Sequence, residues 1–162
     1  MNSWRISKYN PLYRDNSGKY LKEEWTSVFD VDEDKFTEYL EIESKYINSI
    51  LLIMKCSDVN FLIIEGLEKQ SDTELENNFS EKTLELFHSI KEGFSITYND
   101  IIHFCPLVLR EVVWCKLVNP KMFVHFGYDY YMYIGNVKSC IEDIEEIKKM
   151  GLFVEEFKSP YA

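Results

Sequence analysis

The sequence predicts a single α+β domain, with an antiparallel or mixed sheet of about five strands packed by about four helices. Three observations carry this reading. The chain has 162 residues, a length that suits one hydrophobic core. Stretches with apolar residues three and four apart alternate with short runs of β-branched and aromatic residues, so helical and strand periods share the chain. Hydrophobic residues make up 46% of it, and Phe, Tyr and Trp 15%, which supplies enough large apolar surface to offset the entropy lost on folding.

Residues 3–9 alternate Trp4 and Ile6 with Arg5 and Ser7, the period of a strand. Pro11 and the run Asp15, Asn16, Ser17, Gly18 end that strand in a loop. Over 34–56, Phe36, Tyr39, Tyr46, Ile47, Ile50 and Met54 recur at helical spacing, and Asp34, Glu38, Glu41 and Glu43 near the start suit the positive end of the helix dipole. Residues 59–67 read as a buried strand ending at Gly66, followed by the acidic connection EKQSDTELENNFS. Ser80 caps a helix that stops at Gly93, and FSITYND contains a brief extended piece.

The spacing next predicts a helix over 98–118, kinked or restarted at Pro106. Residues 119–121 form a turn. MFVHF and YYMYIG then read as two strands around 127–129, or as one long strand bulged at Gly127. A last helix over 137–150 uses Ile141, Ile144 and Ile147 and stops at Gly151, and LFVEEF makes the final strand.

The chain carries 28 acidic and 18 basic residues, a formal net charge of −10. That balance disfavours direct contact with nucleic acid or an anionic membrane surface, both of which recruit Lys and Arg. The N-terminal residues lack a secretory pattern, and the apolar runs are shorter than the roughly 20 residues of a membrane span, so a soluble cytoplasmic protein is expected. Cys56, Cys105, Cys115 and Cys140 show no paired spacing and read as reduced, buried small hydrophobes.

The segment HFGYDYYMYIG concentrates Tyr128, Tyr130, Tyr131 and Tyr133 beside one carboxylate. Strand alternation sends Tyr131 and Tyr133 to one face and Tyr130, Met132 and Ile134 to the other, which builds a sheet and also offers rigid amphipathic surface for a partner. In REVVWCK, Arg110, Glu111 and Cys115 lie close on the predicted helix, so an enzyme using Cys115 and a histidine is an alternative reading, but no local signature joins Cys115 to His88, His103 or His125. HFC lacks paired metal-ligand spacing, DVDED lacks the glycine and distant glutamate of a calcium loop, and no phosphate-binding loop or nucleophile elbow occurs. No catalytic residue, metal ligand or cofactor is assigned.

Four segments together, WRISKYNPLYRD with GKYLKEEWTS, then REVVWCKL, HFGYDYYMYIG and GLFVEEFKSP, resemble a family of small acidic bacterial proteins. Some members are encoded among polymorphic toxin or contact-dependent growth inhibition modules, in the position of an immunity protein. The similarity spans most of the chain. It implies a cytoplasmic protein that neutralises a cognate toxin, expected to be a basic nuclease-type domain, by stoichiometric binding without chemistry. Acidic side chains would speed the encounter and a few aromatic anchors would hold it. The residues expected to do so are Asp30, Asp32, Asp34, Asp72, Glu74 and Glu76 for charge, with Tyr128 and Tyr131 as anchors. A non-toxin regulatory adaptor is the alternative, and the oligomeric state is left open.

Overall fold

The computed structural model describes residues 1–71, 75 and 78–162. In chain order these form β1 (Asn2–Ser7), α1 (Phe36–Cys56), β2 (Phe61–Lys69), α2 (Glu81–Ser89), β3 (Ser95–Thr97), α3 (Ile101–Leu109), β4 (Val113–Asn119), β5 (Met122–Phe126), β6 (Met132–Asn136), α4 (Ile141–Lys149) and β7 (Phe153–Glu156). The strands make one antiparallel sheet in the order β3-β2-β4-β5-β6-β1-β7. The α+β class and the four helices match the expectation; the sheet has seven strands rather than about five.

The two added strands are β3 and β4. Residues 98–118 do not form one helix, because α3 ends at Leu109 and Glu111 adopts a left-handed φ of 62° that turns the chain into β4. Val112, Val113, Cys115, Leu117 and Val118 satisfy either period over so short a run, and the tertiary context selects the strand. Arg110, Glu111 and Cys115 are therefore not neighbours on a helix. Gly66 does not end β2 either: with φ +67° it sits in a register shift between Glu65 and Glu68, and its N–H and that of Leu67 donate to the Glu92 carboxylate at 2.9 and 2.8 Å. Residues 122–136 are a hairpin of two strands, not one bulged strand.

One face of the sheet presents Ile6, Leu62, Ile64, Leu117, Val124, Met132 and Ile134, all fully buried in the same core as Tyr39, Tyr46, Ile50, Ile53 and Met54 of α1. Burial of each such side chain is worth about 1.5–3 kcal/mol before the entropy of ordering it. In α4, Ile144 and Ile147 enter this core; Ile141, predicted to join them, is 70% exposed because it opens the helix on its outer side.

The opposite face carries a register row, Glu65, Lys116, His125, Tyr133, Arg5 and Glu155, one residue from each of six strands. The C-terminal segment lies across part of it. His125 Nδ1 is 2.8 Å from Ser159 Oγ, and Lys116 Nζ donates to the Tyr161 carbonyl at 2.5 Å.

Two of the four cysteines expected to be reduced are joined to each other. Cys105 and Cys115 are free and buried, but Cys56 and Cys140 form a disulfide with a Cα separation of 6.1 Å, tying the end of α1 to the start of α4. Their 84-residue separation hides the pair in the sequence. No helix among the described residues is long and apolar enough to cross a membrane.

Candidate functional site

The loop from β5 to β6 takes an uncommon path. Asp129 and Tyr130 both have left-handed backbones, φ 58° and 65°, a conformation that strains residues with a Cβ. Tyrosine hydroxyls from other elements hold it in place. Tyr9 donates to the Asp129 carbonyl at 2.6 Å, Tyr46 of α1 donates to the Tyr130 carbonyl at 2.9 Å, and the Tyr130 hydroxyl donates to that of Tyr39 at 3.1 Å. The aromatic residues that pack one face of α1 thus also fix this loop.

Tyr39 continues the chain of bonds, donating to Glu43 Oε2 at 2.8 Å. Glu43 is 4% exposed and receives both Nε and Nη2 of Arg110 at 2.8 and 2.7 Å. Burial works against the Arg110 charge, yet the two bonds it donates to Glu43 outweigh it and raise the guanidinium pKa above its ordinary value. The next residue is Glu111, whose left-handed turn is braced by Gln70 Nε2 donating to its carbonyl at 2.9 Å, while Ser27 Oγ donates to its carboxylate.

Between these two turns lies a pocket of about 460 Å³. Glu68, Glu111 and Asp129 give it carboxylates; Trp114, Tyr128, Tyr131 and Tyr161 give it aromatic surface. Among the described residues no Lys or Arg lines it, and the carboxylates of Glu68 and Asp129 make no ion pair or hydrogen bond. Carboxylates beside aromatic faces form a receptor for a cation, above all for a guanidinium or ammonium group that can take a charged hydrogen bond and lie on a ring.

Of the sequence-predicted anchors, both belong to this pocket. Tyr128 stands at 86% exposure on its rim. The Tyr131 ring packs against Tyr9 with centroids 5.2 Å apart, and Arg5 lies 5.1 Å from its centre. Asp30, Asp32 and Asp34 are exposed on the segment leading into α1 and do not line the pocket. Asp30 adjoins it through Thr26, a lining residue whose Oγ1 donates to Asp30 at 3.4 Å. Asp72, Glu74 and Glu76 lie outside the described residues.

Glu68, Glu111 and Trp114 are not legible as one site in the sequence because β2, β4 and the preceding turn meet through long-range pairing. The signals available were weak: Glu68 opens the acidic connection, and Asp129 is the lone carboxylate of the tyrosine-rich segment. Cys115, the nucleophile of the enzyme alternative, faces the core from β4, where burial pushes its thiol up to about 12. Arg110 is engaged by Glu43 at 2.7 Å.

Comparison with known proteins finds no matching family model, no significantly similar curated protein and no significantly similar solved structure.

Proposed function

We propose that this chain is a cytoplasmic immunity-type inhibitor that binds and neutralises a cognate bacterial toxin domain, one to one and without chemistry. The toxin expected on this reading is a basic, nuclease-type domain. The observation that carries the proposal is the pocket between the Glu111 and Asp129 turns, where three acidic and six aromatic residues line one cavity whose walls hold no cation among the described residues. A protruding Lys or Arg of a basic partner would enter it, with Tyr128 closing over the side chain. Asp30, Asp32 and Asp34 would extend the negative field beyond the rim, and the chain's net charge of −10 would speed the encounter.

The direct test is affinity capture of the product of the adjacent reading frame, followed by titration of that product's toxicity. Tight one-to-one binding that abolishes toxicity is the expected result. Absence of binding would sink the neutralisation reading.

A further inference from the structure

Where α1 ends and α4 begins, the disulfide has company. Cys56 closes α1, Cys140 immediately precedes α4, and Asp143 sits in the first turn of α4. Both sulfurs and a carboxylate oxygen of Asp143 lie within 4.8 Å of one another. Cys140 is 2% exposed, whereas Cys56 and Asp143 are half-buried, so the cluster has one dry side and one side open to solvent.

On the dry side stands Asn136, fully buried on β6. Its amide donates to Cys140 Sγ at 2.9 Å and to Ser57 Oγ at 3.1 Å, while its Oδ1 has no partner among the described residues. An N–H aimed at sulfur stabilises a thiolate more than a neutral disulfide, because a charged acceptor strengthens the bond. The positive end of the α4 dipole acts on Cys140 in the same sense, and the negative end of the α1 dipole favours a cation between the two helices.

We propose that Cys56, Cys140 and Asp143 form a binding site for a thiophilic divalent cation of the Zn²⁺ class when the disulfide is reduced. Two thiolates select such an ion over Mg²⁺ or Ca²⁺, which require oxygen ligands, and a water on the open side completes four-coordination. Reduction balances as thiol–disulfide exchange. Two molecules of a low-molecular-weight thiol deliver two electrons and two protons to the S–S bond and leave as their own disulfide; the cation then displaces both thiol protons to solvent. The same three residues thus join α1 to α4 by a covalent bond under oxidising conditions and by a metal bridge under reducing ones. This inference is independent of the toxin reading.

The test uses the full chain, reduced with a phosphine, desalted without oxygen and titrated with Co²⁺, with binding read from thiolate-to-cobalt charge-transfer absorption. Native mass spectrometry of the Zn²⁺-titrated protein gives the stoichiometry. The expected result is one ion per chain after reduction and none in the oxidised protein. Cys56→Ser abolishes the absorption, and Asp143→Asn weakens binding by about tenfold or more. Circular dichroism establishes that each sample is folded; should the serine variant unfold, Asp143→Asn still decides, since it keeps both cysteines. A folded, reduced wild-type protein without the charge-transfer band would overturn the proposal, as would equal Co²⁺ affinity in Asp143→Asn and wild type.

Discussion

The hydroxyl of Tyr130 donates to the hydroxyl of Tyr39 across 3.1 Å. Through Tyr39 and Glu43 this bond joins the Asp129 turn to Arg110, and so connects the two lips of the acidic pocket through the core. The rim is therefore shaped by groups buried in the core.

Tyr39→Phe tests that connection. It leaves the Tyr130 hydroxyl without its acceptor and Glu43 Oε2 with Arg110 Nε as its remaining donor, and should cost about 1–3 kcal/mol in urea unfolding. Faster hydrogen exchange at the Tyr131 N–H, which bonds the Tyr128 carbonyl at 3.3 Å, should accompany the loss.

The Glu43–Arg110 pair is buried at both ends, so removing one partner strands the other charge. Glu43→Ala should lose about 3–5 kcal/mol, and Glu43→Leu combined with Arg110→Met should lose less than the sum of the single changes. Equal additive losses in chemical denaturation would show that the pair is not coupled.

Gly135 is required by contact rather than by backbone conformation. A Cβ there would meet Phe123 Cε1 at 2.1 Å, because that ring lies flat across the glycine and stacks on His125 with centroids 4.3 Å apart. Gly135→Ala should destabilise by about 1–3 kcal/mol. Adding Phe123→Ala, which removes the clash, should recover part of that loss in thermal unfolding.

The elements legible in the sequence were those whose period was long or whose ends were marked. Tyr39, Tyr46, Ile50 and Met54 repeat over enough turns to define α1, Ser80 caps α2 through Thr83 as read, and Gly151 stops α4 with φ +96°. β4 was illegible because its apolar run is short and follows α3 directly, with only the left-handed Glu111 to mark the change. Tyr128 and Tyr131 could be read as a pair since they are local. Their joining with Glu68, Glu111 and Trp114 depends on strand order, to which no residue spacing points.

His125 gives the protein an acid-sensitive seam. Burial, reinforced by Lys116, lowers its pKa from 6.5 to about 4. The unfolded chain then binds more protons than the folded one within that window, so stability should fall as pH drops from about 6.5 to about 4. His125→Gln should flatten this segment of the stability profile measured by urea unfolding. The depressed Glu155 pKa has the same sign lower down: burial opposes the shift, bonds from Arg5 and Arg14 outweigh it, and that stabilisation is lost as the carboxylate protonates.

On the proposed function, the pocket between Glu111 and Asp129 receives a basic group of the partner. The most direct measurement is the association rate of the captured partner at several salt concentrations, for wild type and for Glu68→Gln combined with Asp129→Asn. Asparagine tolerates the left-handed backbone at 129, so charge is removed without forcing the turn to change. The expected result is slower association, a shallower salt dependence and a tenfold or greater loss of affinity, on the order of 1.4 kcal/mol. Unchanged rates and affinity in a folded variant would contradict it and move the interface away from this pocket.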